Sequence, residues 1–198
     1  MAHESASATR TVPARGKPLP GFSSPAVGFE EPFEMLHACH ERVERTLNLL
    51  ARLRAHVVQH GVDDGARQAA RDVLRYFDIA APLHHQDEEL HVFPPLLAEG
   101  ADPALQALAL RLQDDHTHMA REWAAARAPL LAWSQGLPAP HPGDAAALDQ
   151  FALRYTDHLA AEDTLAYPAA HAALPAPTLQ AMGKEMAARR GSAQKAIK

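Results

Sequence analysis

"FDIAAPLHHQDEELHVFP", residues 77–94, decides the fold, because "FALRYTDHLAAEDTLAYP", residues 151–168, aligns with it without a gap once Phe77 is set on Phe151. In this frame His84 falls on His158, Glu88 on Glu162, Phe93 on Tyr167 and Pro94 on Pro168. An imidazole and a carboxylate four residues apart lie one turn apart on the same helix face, so each copy presents a His-x-x-x-Glu pair. The first copy offers a second pairing at the same spacing, His85 with Glu89, but its counterparts are Leu159 and Asp163. The pair common to both copies is therefore His84 with Glu88 and His158 with Glu162. His85 and Glu89 are turned roughly 100° around the helix and are read as outer neighbours of the site or as surface groups.

Outward from this repeat, apolar periodicity marks four helices. The first begins at Glu31 and carries Leu36, His40, Val43, Leu47, Leu50, Leu53 and Val57 before it stops at "HGVDDG". The second carries Val73, Phe77, Ala81, His84, Glu88 and Val92 and ends near "FPPLLAEGADP", with Pro82 expected to interrupt or kink it. The third carries Leu105, Leu108, Leu112, His116, Met119, Trp123 and Leu130, and the fourth Leu148, Phe151, Tyr155, His158, Glu162 and Leu165. Strand signals are almost absent. Short connections make sequential helices antiparallel neighbours, so the expected fold is all-α, an up-down-up-down four-helix bundle over residues 31–174. Residues 1–30, rich in Ser, Ala, Pro and Gly, read as an irregular tail, with Phe22, Phe29 and Phe33 available to pack back on the bundle. Residues 175–198 read as a short extra helix and a basic tail.

The first and third helices repeat in the same sense: Leu36 matches Leu112, His40 His116, Val43 Met119 and Leu47 Trp123. Each half is then a helical hairpin with one histidine on its first helix and His-x-x-x-Glu on its second. In antiparallel helices, residues at one level are equidistant in sequence from the turn between them. The midpoints between successive candidate residues fall in "GVDDG", "GADP" and "GLPAP", all marked as turns by Gly or Pro. His40, His84, Glu88, His116, His158 and Glu162 are thus expected at one height, facing inward. A single His-x-x-x-Glu is more often a surface pair. His56 and His60 in "HVVQH" have ligand spacing but no counterpart in the second half, and read as a solvated face. Two matched copies are different: six buried ionisable groups cost many kcal/mol unless they coordinate a metal or are otherwise paired.

Composition limits the alternatives. With 198 residues and 47% hydrophobic content, one core is the default. A net charge of −5 gives no reason to expect nucleic acid or an anionic membrane as partner. No apolar run is long enough to span a bilayer, the N-terminus lacks a signal-peptide core, and the lone Cys39 fits a reducing cytoplasm. Cys39, Met119 and Trp123 read as core residues, His141 as exposed in a Pro-rich loop, and Tyr155 as core or as a hydrogen-bond partner of a ligand.

Four imidazoles and two carboxylates exceed what one tetrahedral zinc takes. They suit two first-row ions, His40 and His84 on one, His116 and His158 on the other, bridged by Glu88 and Glu162. Iron is the natural choice for mixed nitrogen and oxygen ligation with open positions, though these ligand types also admit manganese or zinc.

Through "LHACHERVERTL", "HHQDEELHVFP", "DDHTHM" and "HLAAEDTLAYP", over roughly residues 30–172, the chain resembles the haemerythrin-like, or HHE cation-binding, family. The resemblance implies a non-haem di-iron centre with an oxo or hydroxo bridge. Oxygen-carrying members place a second histidine one turn after the third-helix ligand; here that position is Ala120, and His118 faces elsewhere. Their last bridging carboxylate is an aspartate at longer spacing, where this chain has Glu162. Both departures resemble the branch associated with iron–sulfur repair, nitric oxide and oxidative stress, and iron sensing. The function implied is iron handling or a response to oxygen, nitric oxide or peroxide, with client iron proteins as partners. The other reading is an oxygen-binding sensor or store without turnover.

Overall fold

In the computed structural model, residues 28–137 and 142–196 are described. Helix α1 is Pro32–His60, and α2 runs without a break over residues 64–97. Helix α3 is Pro103–Ser134, α4 covers 142–173, and α5 is Ala176–Ala196. No strand occurs among the described residues. Residues 1–27, expected as an irregular tail, residues 138–141 with His141, and the last two residues lie outside them.

The helix boundaries follow from local chemistry. Gly61, Gly100 and Gly136 all have positive φ, at 78°, 84° and 78°. This is the conformation that turns a chain out of a helix at least cost without a Cβ. Asp63 and Asp102 then cap the starts of α2 and α3, accepting from the backbone N–H groups of Ala66 and Ala104, each at 2.8 Å.

Pro82 does not interrupt α2. The N–H of Ala81 reaches back five residues to the Tyr76 carbonyl, making a π turn at Tyr76–Ala80 directly before the proline. The same device recurs at Glu88–Val92 before Pro94 and at Glu162–Ala166 before Pro168. A proline lacks the N–H of the normal ladder and crowds the carbonyl four residues back. Widening the preceding turn relieves that crowding and lets the helix continue. The last two π turns start on the matched residues Glu88 and Glu162, so the repeat seen in sequence is also a repeat of backbone form.

α1 packs on α2, α2 on α3, α3 on α4, and α4 on α1. Two apolar clusters fill the interior. One joins Leu50, Leu53 and Val57 to Ala66, Val73 and Phe77, and to Met119, Trp133, Phe151 and Tyr155. The other joins Phe33, Leu36 and Cys39 to Val92, Phe93 and Leu96, with Leu112, Tyr167 and Ala170, and reaches Met182 and Met186 of α5. Phe77 and Phe151, the residues that anchor the sequence alignment, meet edge to face at 4.8 Å. With 21 residues, α5 is longer than the short helix expected, and two basic residues read as part of a tail pair with the bundle: Asp87, fully buried, meets Arg190 at 2.6 Å and Arg189 at 2.7 Å.

Candidate metal centre

Among the described residues, the buried histidines and carboxylates are confined to one layer. His40, His84, Glu88, His116, His158 and Glu162 are all buried, each at most 7% exposed, with Asp87 beside them. α1 supplies His40, α2 His84 and Glu88, α3 His116, and α4 His158 and Glu162. The structure brings all six together.

Their Nε2 atoms face the centre. Glu88 lies 3.8 Å from His40, 3.3 Å from His84 and 3.5 Å from His116. Glu162 lies 3.2 Å from His40, 3.7 Å from His116 and 3.0 Å from His158. Donor atoms of His40, His84, Glu88 and Glu162 fall within 4.8 Å of one another, and so do those of His116, His158 and Glu162. Proximity is not hydrogen bonding here. Glu88 Oε2, both oxygens of Glu162, and Nε2 of His116 and of His158 are buried without a hydrogen-bond partner. Each such atom costs about 1–3 kcal/mol, and in this layer they converge from four helices. A cation satisfies carboxylate oxygens and imidazole nitrogens at once, so the donor set fits a metal site.

The outward-facing nitrogens are held by carboxylates. His40 Nδ1 donates to Asp163 at 2.8 Å, and His116 Nδ1 to Glu89 at 3.0 Å. Asp163 and Glu89 are matched positions of the repeat, so each half orients the lone histidine of the other half. His158 Nδ1 meets Asp115 at 3.4 Å, whereas Nδ1 of His84 has no partner. Glu89 thus has a definite role as the group that orients His116, and Gln113 holds its other oxygen at 2.8 Å.

Tyr167 went unread as a polar residue in the sequence, where it only matched Phe93. Its ring stacks on His40 at 5.1 Å, as Phe93 lies 5.5 Å from His116. Its hydroxyl donates to Glu88 and lies 2.8 Å from His40 Nε2. The one extra oxygen in the second copy was the available signal. Tyr155, the tyrosine weighed for such a role, packs among Phe77 and Phe151 instead. His56 pairs with Asp63 at 3.0 Å and His118 with Asp114 at 3.3 Å, both away from the centre.

Without a cation the layer holds protons. Burial opposes charge on His40, but the Asp163, Glu162 and Glu88 carboxylates overcome it and push its pKa up to about 12. His116 is likewise desolvated, yet Glu162 and Glu89 raise it to about 10. Burial, then the charge on His40, holds His84 well below the usual imidazole range, and burial with the charge on His116 does the same to His85. Burial and the neighbouring Glu162 raise Glu88, while Glu162, although desolvated, is drawn well below the usual range by His158, His116 and His40.

Comparison with known proteins agrees with the donor set. The hemerythrin HHE cation binding domain matches residues 31–170. An uncharacterized protein of Haemophilus influenzae is 34% identical over 164 residues, covering 82% of this chain and 91% of its own length. Among the described residues no helix is long and apolar enough to cross a membrane. An all-helical chain whose matched segment spans α1 to α4 and the whole buried His/Glu layer is a member of the hemerythrin HHE cation-binding domain family.

Proposed function

We propose that the buried layer holds two iron ions, His40 and His84 on one, His116 and His158 on the other, with Glu88 and Glu162 shared. The surrounding fold in this reading is an up-down-up-down bundle over residues 31–174. The protein serves in iron handling, including donation to client iron proteins, or in the response to oxygen, nitric oxide or peroxide. The single cysteine places it in a reducing cytoplasm in this reading.

One observation carries the two-ion reading. Glu88 and Glu162 each lie within 4 Å of imidazoles from both histidine pairs. A carboxylate so placed is built to be shared between neighbouring cations. When bound, the iron pair supplies redox-active ions with open positions for small molecules. The chain's own groups supply orientation. Asp163 and Glu89 fix His40 and His116 through Nδ1, which leaves Nε2 directed inward.

The reactive reading is favoured over reversible carriage by Ala120. It stands one turn after His116, is exposed, and brings no imidazole. The alternative, an oxygen sensor or store without turnover, draws on an open apolar cleft of about 170 Å³ that reaches Ala120 and His85.

Anaerobic loading with Fe(II), metal analysis, and optical spectra after adding oxygen, nitric oxide or peroxide test both. Two irons per chain and lasting oxidation in air are expected. Repeated, fully reversible oxygen binding moves the assignment to the carrier; fewer than two irons removes the di-iron reading.

A further inference from the structure

The likeness between the halves breaks beside the centre. The repeat sets His85 opposite Leu159, a core residue only 7% exposed. His85 therefore adds a fifth imidazole on one side of the layer and none on the other. Its ring lies 4.1 Å from that of His116 with an angle of 11° between planes, and 6.4 Å from His158. A nitrogen of His85, an oxygen of Glu88 and a nitrogen of His116 fall within 4.8 Å of one another. Among the described residues His85 has ring contacts with its neighbours but no hydrogen-bond partner.

His85 also lines the open apolar cleft of about 170 Å³, with Phe77, Ala81, Met119, Ala120, Phe151 and Tyr155. Two adjacent imidazoles on one ion, with bonds of about 2.1 Å, have their nitrogens roughly 3 Å apart. Rings stacked face to face leave no ion position in both planes, so His85 reaches the ion by turning about its Cβ–Cγ bond.

We propose that His85 is a further metal ligand, giving a nitrogen to the ion held by His116 and His158 at the position that α3 leaves without an imidazole at Ala120. The inference rests on the two-ion reading above and deepens it. The extra nitrogen comes from α2, at a position where the other half has only carbon.

Cobalt(II) in place of iron tests this by visible spectrum and affinity, without any assay of turnover. The unmodified protein, His85→Ala and His85→Gln are loaded anaerobically, and bound cobalt is counted. Both variants are expected to keep two ions, with the second bound about tenfold more weakly and the visible bands altered alike. Added imidazole is expected to return the His85→Ala spectrum to that of the unmodified protein. Two ions at unchanged affinity, an unchanged spectrum in both variants and no response to imidazole would overturn the role of His85 while leaving the two-ion reading intact. Fewer than two cobalt ions in the unmodified protein overturns both.

Discussion

Asp163 touches no candidate bridging carboxylate, yet its charge reaches the centre through one imidazole, since His40 Nδ1 donates to it at 2.8 Å. His37 shares the same oxygen at 2.7 Å, so Asp163 is fixed from two sides. Asp163→Asn should weaken metal binding by about tenfold, the usual cost of losing a partner that orients a ligand. Competition with a chromophoric chelator measures it, and an unchanged constant would remove Asp163 from that role. Tyr167 acts differently. Its hydroxyl is the hydrogen-bond donor to Glu88, which is fully buried. Tyr167→Phe keeps the ring on His40 and leaves that carboxylate with one bond fewer. Metal-free protein should lose about 1–3 kcal/mol in urea unfolding, and metal-loaded protein less, because the cation then satisfies Glu88. Equal losses in both forms would mean that the hydroxyl serves packing alone. Neither role was legible in the one-letter pattern. Asp163 faced Glu89 and Tyr167 faced Phe93 in the alignment, and only the cross-over between halves shows which histidine each one meets.

At the scale of elements, the six inward residues could be read because helical period and turn-centred midpoints use only local rules. The π turns could not. A proline in a helical pattern reads as a break or kink, and whether the preceding turn widens depends on what the wider turn positions. Here two of the three π turns start on Glu88 and Glu162. The contribution of α5 was also hidden, because an arginine pair in a terminal segment looks like solvated charge until its partner is known. Asp87 is that partner and is fully buried. Burial raises its pKa, and Arg190 and Arg189 oppose the rise. Arg190→Ala removes the shorter contact and should cost about 3 kcal/mol, the scale of breaking a buried ion pair. Arg190→Ala combined with Asp87→Asn should recover part of this loss. Thermal unfolding of the two variants checks both, and an additive loss in the double variant would show that the pair is not the cause.

The whole molecule sets one charged layer between two apolar clusters, so something positive must always occupy the layer. In metal-free protein the protons on His40 and His116 fill that role, with pKa values near 12 and 10. Cations and protons then compete for the same nitrogens, and metal uptake at pH 7 should release about two protons per chain. A pH-indicator dye in weakly buffered solution counts them. Stability carries the same linkage with opposite signs in the two forms. Unfolded histidines lose their protons near pH 6.5, while folded His40 and His116 keep theirs in metal-free protein. Between pH 7 and 9 the folded state therefore binds more protons, and stability falls as pH rises, by up to roughly 2–3 kcal/mol per pH unit for two protons. His84 is neutral in the folded state and nearly so in the unfolded chain over that window, and adds little. In metal-loaded protein the imidazoles carry no exchangeable proton at the ligating nitrogens, and the unfolded chain binds more protons below pH 6.5. Stability should then climb from pH 5 to 7 and level off. Urea midpoints across pH 5–9, with and without metal, decide the matter. Parallel curves would mean that protons and cations do not share the site.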